Sequence, residues 1–239
     1  MIAHDPSLVI LSTTIAILGC FTGCVLTSNL FLLTPGEVRL RLAMASLALG
    51  GSLWATSFVG LLALSAPLNW TYNPALLGFS VLTAFAGTVI ALFTAGGEQT
   101  GGGRMPIAVA VLGIAIAFTH YLGLLAIAGR GVHIIWFLAA IAVAVSLQVA
   151  AILLWFYFRP RGVVITLAGA LGLGLGLSAT HYLTVASAQS LELTLAAIPA
   201  ATSELSARYL AWSATIMTYL VCSICLCIFV IMQFKEEMQ

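Results

Sequence analysis

The chain has 239 residues, 62% of them hydrophobic and 6% charged, with a mean hydropathy of +1.16, which is more apolar surface than a water-soluble domain can hide. Its formal net charge is +1, with neither a basic block nor an acidic tail, and that balance excludes electrostatic recognition of nucleic acid. Lipid is the solvent such a composition suits.

The N-terminus, MIAHDPS, carries an acidic residue and no Lys or Arg. It does not begin like a cleaved secretory signal, so the first apolar stretch is expected to stay as a membrane span. Runs of about twenty apolar residues predict seven spans, at 7–33, 39–65, 74–95, 106–128, 133–157, 163–187 and 208–234. The connections TPGEVR, SAPLNWTYNP, GGEQTGGGR, AGRG and RPRG are short, which makes consecutive helices antiparallel neighbours. Only SLELTLAAIPAATSELSA, before the last span, is long enough to cover a surface. The expected fold is all-α: a polytopic membrane bundle of seven transmembrane helices, with residues 1–239 forming a single domain.

Basic residues set the orientation. Arg39, Arg41, Arg104, Arg159, Arg161 and Lys235 fall on one side and Arg130 and Arg208 on the other, so the first side is expected to be cytoplasmic. The N-terminus is then extracytoplasmic and the C-terminus cytoplasmic. Trp70, Tyr72, Trp136 and Trp212 fit an outer aromatic belt, and Trp155 with Tyr157 an inner one. The five cysteines, Cys20, Cys24, Cys222, Cys225 and Cys227, lie inside apolar runs, where small buried residues serve helix packing. A soft-metal role stays open if the first and last helices touch.

The second, fourth and sixth spans share a pattern. They read GGSLWATSFVGLLAL from Gly50, GIAIAFTHYLGLLAI from Gly113 and GLGLSATHYLTVASA from Gly174. Threonine recurs as Thr56, Thr119 and Thr180, an aromatic as Phe58, Tyr121 and Tyr182, and the centres are Ser57, His120 and His181. This is one helix-pair unit used three times, plus a seventh helix. At about 1.5 Å per residue, His120 and His181 both lie in the outer part of a bilayer core roughly 30 Å thick. His4 and His133 fall on the same side. An imidazole in hydrocarbon needs a partner or a wet niche: it is either a ligand or a lock that bonds a threonine, a carbonyl or the other imidazole. Gly60, Gly123, Gly169, Gly172 and Gly176 let these helices approach closely.

With these residues the chain resembles the MHYT family, bacterial membrane sensor domains of seven spans with a Met-His-Tyr-Thr motif near the outer ends of the second, fourth and sixth. The resemblance covers essentially the whole chain. It implies a protein of the bacterial plasma membrane that binds copper through the motif and responds to oxygen, carbon monoxide or nitric oxide. Family members are commonly fused to cyclic-di-nucleotide or kinase domains. Carried over by position, the motif residues are Thr56, Ser57 and Phe58, then Thr119, His120 and Tyr121, then Thr180, His181 and Tyr182.

The departures from the motif are as informative. Threonine replaces all three methionines and Ser57 replaces the first histidine, which removes the thioether donors that suit Cu(I). His120 and His181 are the remaining ligand candidates, with His4 or His133 as additional ones. Copper is the first choice of metal, zinc and haem are weaker choices, and a site that binds nothing is equally consistent with the losses. Tyr121 and Tyr182 would support the ligands or pack.

Two functions follow. One is a copper-dependent sensor of a small gas that acts through a separate membrane partner, since the chain stops at KEEMQ. The other is a structural or assembly subunit of a larger membrane complex. An enzyme, pump or ion-coupled transporter is not expected: the only lysine, Lys235, follows the last span, and every Asp and Glu is terminal or in a loop.

Overall fold

The computed structural model describes residues 5–64, 73–96, 103–128, 133–159, 162–189 and 204–237. Seven helices in it are long and apolar enough to cross a membrane. They are α1 (Pro6–Leu26), α2 (Pro35–Leu62), α3 (Pro74–Ala95), α4 (Arg104–Ala128), α5 (Trp136–Tyr157), α6 (Val163–Ala186) and α7 (Glu204–Glu237). The expected all-α membrane bundle is the observed one. Most of the segment between α6 and α7, with Trp70, Tyr72, Arg130 and His4, lies outside the described residues.

Local chemistry explains where helices begin. Asp5, Thr34 and Asn73 each cap a helix whose next residue is proline, the residue whose missing N–H costs nothing at that position. At α2 the cap is reciprocal: Thr34 Oγ1 accepts from Glu37 N, and the Glu37 carboxylate accepts from Thr34 N at 2.8 Å. This box moves the start of α2 back to Pro35, so PGEVR is helix rather than connection. At the other end of the chain, α7 takes in Glu204 and residues expected to be loop.

The helices close into a ring. Each of α1 to α6 packs on the next, α6 returns to α1, and α7 lies against α1 and α2. The even-numbered helices also touch one another across the middle. Accordingly 78% of the most apolar window of α2 is buried inside the protein, against 22% for α7.

The repeated glycines build this ring with a cyclic rule. A side chain at Gly50 would meet Phe85 of α3, one at Gly113 would meet Leu147 of α5, and one at Gly174 would meet the backbone of Ile17 in α1. Each even helix thus admits the next odd helix at the same motif position, and the third contact closes the circle. Van der Waals packing between close backbones is what holds helices together where lipid removes the hydrophobic drive.

Two expectations change in the folded chain. Tyr157, expected in an interfacial belt, is fully buried, with its hydroxyl donating to Cys20 O at 3.3 Å in the space that Gly23 leaves. Trp136, Trp155 and Trp212 remain exposed. Arg41, counted among the basic residues that mark one side of the membrane, is drawn inside the bundle and is 2% exposed. Among the described residues no disulfide links the cysteines, which are all buried except Cys227. Helices α1 and α7 do touch, yet among the described residues no group of three His, Cys, Asp or Glu could hold a metal ion.

A short antiparallel pairing, β1 (His133–Ile134) with β2 (Ala188–Gln189), ties the chain beyond α4 to the chain beyond α6. Together with Asp5 N donating to Ala63 O at 2.7 Å, it places the ends of α2, α4 and α6 at one face of the bundle.

Candidate functional site

The polar layer sits one to two turns inside that face. His120 lies about eight residues before the end of α4 and His181 about five before the end of α6, a difference of roughly 5 Å along the bundle. Both are buried. Their ring centroids stand 5.5 Å apart with the planes tilted by 48°, so the duplicated motif does bring the two imidazoles side by side.

His120 is held in one tautomer. Its Nδ1 lies 2.7 Å from Ile116 O, and a carbonyl only accepts, so Nδ1 carries the hydrogen. In the neutral ring Nε2 is then left as a lone pair. That atom is buried and has no hydrogen-bond partner.

His181 rests against α2. A Cβ built on Gly60 would stand 2.6 Å from His181 Nε2, and Tyr182 meets the His181 ring edge-on, centroids 5.1 Å apart. The same rule acts one repeat earlier, where a Cβ on Gly123 would stand 3.3 Å from Ser57 Oγ. In α2 and α4 the residue three after the motif centre is therefore the seat for the motif centre of another even helix. In α6 that position is Thr184, buried, with its hydroxyl returned to Thr180 O at 2.9 Å.

Three hydroxyls enrich the layer. Ser57 Oγ, Thr119 Oγ1 and Ser178 Oγ are buried without a hydrogen-bond partner. Unsatisfied polar atoms in a membrane interior are costly, so this concentration marks a place the fold keeps polar.

The other motif residues turn elsewhere. Thr56 donates to Ser12 O on α1 at 3.3 Å, and Thr180 donates to Leu177 O of its own helix at 2.7 Å. Phe58 stacks on Trp54 and joins a core with Ile15 and Val59. Tyr121 pairs its hydroxyl with Ser187 Oγ at 3.0 Å. His133 contributes backbone to β1, beyond the helix ends; its side chain, like all of His4, lies outside the described residues. Sequence reasoning allowed a carbonyl partner for an imidazole and close approach at Gly60, but not that the carbonyl is that of Ile116 or that Gly60 meets His181. It missed Ser178, whose signal was a polar residue one turn before a motif histidine.

Three tandem helix pairs around a buried polar layer define an integral membrane protein of the helical-bundle class. Residues 50–108 match the MHYT family model, described as a bacterial signalling protein N-terminal repeat. The likeness to that repeat rests on this stretch of the chain.

Among curated proteins it is 30% identical over 162 residues to the bifunctional diguanylate cyclase/cyclic di-GMP phosphodiesterase MucR of Pseudomonas aeruginosa, covering 66% of this chain and 23% of the relative. It is 29% identical over 123 residues to the cyclic di-GMP phosphodiesterase NbdA of the same organism, covering 52% of this chain and 16% of the relative. An uncharacterized signaling protein of Caulobacter vibrioides is 30% identical over 152 residues, 61% of this chain and 18% of that protein. The chain thus spans less than a quarter of each of these relatives. No solved structure matches it.

Proposed function

We propose that the chain is the membrane sensor part of a signalling system, binding Cu(I) between His120 and His181 and reading a small gas of the oxygen, carbon monoxide or nitric oxide class. The observation that carries this is the adjacent pair of buried imidazoles, one of them fixed with its Nε2 lone pair turned to the interior. Neutral imidazole suits copper. Zinc fits less well, because its structural sites take four protein ligands and the described residues offer no third His, Cys, Asp or Glu beside the pair. A haem does not fit, since α2 closes on His181 at Gly60 too tightly for a macrocycle.

Copper held there would supply an open coordination position for the gas. The protein's own residues fix the His120 tautomer, exclude bulk water and hold the His181 ring against both His120 and α2, so a change at the rings bears on three helices. The signal would pass to a catalytic signalling partner, in keeping with the cyclic di-GMP enzymes named among the relatives. The histidine face is proposed to be extracytoplasmic, as the basic residues suggest.

Copper analysis of anaerobically loaded protein tests the reading. One Cu(I) per chain is expected, lost in the His120→Ala/His181→Ala double variant; unchanged copper in that variant overturns it. A second reading, in which the layer only locks helices in an assembly subunit, is favoured by the motif bonds that cross between helices, Thr56 to Ser12 O and Tyr121 to Ser187 Oγ. It predicts no copper in either protein and a double variant that loses thermal stability.

A further inference from the structure

Arg41 is the one charged residue among the fully buried large side chains of the described residues, and the histidine layer does not use it. It lies near the start of α2, at the end of the bundle opposite the histidines. Its Nη1 donates to Ser28 O at 3.4 Å and its guanidinium lies over the Phe229 ring, 4.9 Å from the centroid. A cation drawn into a membrane bundle faces a cavity or a counter-charge, and here it has both.

Arg41 lines a partly open cavity of about 330 Å³ together with Ser28, Asn29, Leu33, Glu37, Phe229 and Gln233. That volume is in the range of small-molecule sites, roughly 300–1,000 Å³. Glu37 interacts electrostatically with Arg41 while its Oε2 serves the Thr34 cap. The cavity therefore holds one fixed positive and one fixed negative charge on the same wall of α2.

Its rim is apolar. The turn between α1 and α2 exposes Phe31 and Leu32, each 72% exposed, around Asn29, whose φ of 55° is a left-handed conformation that asparagine tolerates. A polar floor with separated charges beneath an apolar lip, at the end of membrane-spanning helices, matches the boundary between lipid headgroup and acyl chain.

We propose that this cavity binds the headgroup of a zwitterionic phospholipid, its phosphate on Arg41 and its ammonium toward Glu37. A planar guanidinium is the side chain suited to a phosphate. The neighbouring carboxylate disfavours a purely anionic headgroup. Because α2 and α7 both line the cavity, an occupied headgroup would brace α7 against the helix that seats His181.

The test is native mass spectrometry of the full chain released from nanodiscs of equal phosphatidylethanolamine and phosphatidylglycerol, with inorganic phosphate titrated separately by calorimetry. One phosphatidylethanolamine per chain is expected to persist, and inorganic phosphate is expected to bind far more weakly. Arg41→Gln should weaken lipid retention about ten- to hundredfold, the loss of a charge-assisted bond. Glu37→Gln keeps the capping box, since Gln also serves there, and should abolish the preference between the two lipids without unfolding α2. Leu33 also lines the cavity, and Leu33→Trp, which fills it and leaves Arg41 in place, should expel the lipid. Retention by Arg41→Gln, equal retention of phosphatidylglycerol by the unaltered chain, or inorganic phosphate binding as tightly as lipid would each overturn the proposal.

Discussion

Gly60→Ala probes the site with a single methyl group. The new Cβ would stand 2.6 Å from Nε2, 2.8 Å from Cδ2 and 3.1 Å from Cε1 of His181, whereas ordinary contact begins at 3.4 Å. The ring must retreat by nearly an ångström, and it is buried against Tyr182 and His120, so the move disturbs the whole layer. Overpacking of this kind costs about 1–3 kcal/mol. The helix-propensity gain of alanine over glycine, up to about 1 kcal/mol, offsets only part, because α2 remains helical in lipid even when its packing is lost. A net loss of about 1–2 kcal/mol lowers the melting temperature of a chain this size by roughly 2–8 °C.

Gly172→Ala is the matched control: contrary to the close approach expected at this glycine, a side chain there meets nothing within 4 Å, so the change should be neutral or slightly stabilising. The assay is thermal unfolding of both variants in one detergent, together with copper retention against a chelator. If Gly60→Ala melts with the unaltered protein and holds copper as firmly, the seating of His181 on α2 is wrong.

Ser57→His should fit, because Gly123 leaves at Ser57 the seat that Gly60 leaves at His181; copper should then resist a chelator better than in the unaltered chain, and equal stripping would refute the cyclic seating rule. Thr34→Ala removes the reciprocal cap of α2 and should cost about 1 kcal/mol, seen as a melting temperature lower by roughly 2–4 °C. Tyr157→Phe deletes the buried bond to Cys20 O that joins α5 to α1; a loss near 1 kcal/mol is expected, and no change in melting would mean the bond contributes nothing.

Much of the fold was legible because the bilayer imposes simple rules. Length and apolarity mark the seven spans, and the cap and proline pairs at Asp5, Thr34 and Asn73 mark where three of them begin. The box at Thr34 and Glu37 was also written in the sequence, but its reading was masked by the polar look of TPGEVR. The repeat showed that Ser57, His120 and His181 are equivalent, and equivalence in a cyclic bundle implies a common layer.

What the linear order alone determined is therefore the number of helices, their repeat and the depth of the motif residues, since each depends on spacing along a single helix axis. Which way each side chain turns about that axis was decided only by tertiary packing. That rotation brings His120 and His181 together, sends Thr56 to α1 and Tyr121 to Ser187, buries Tyr157 and draws Arg41 inward. In a helix apolar on every face no amphipathic stripe fixes the rotation beforehand, so neighbouring glycines and backbone carbonyls fix it instead.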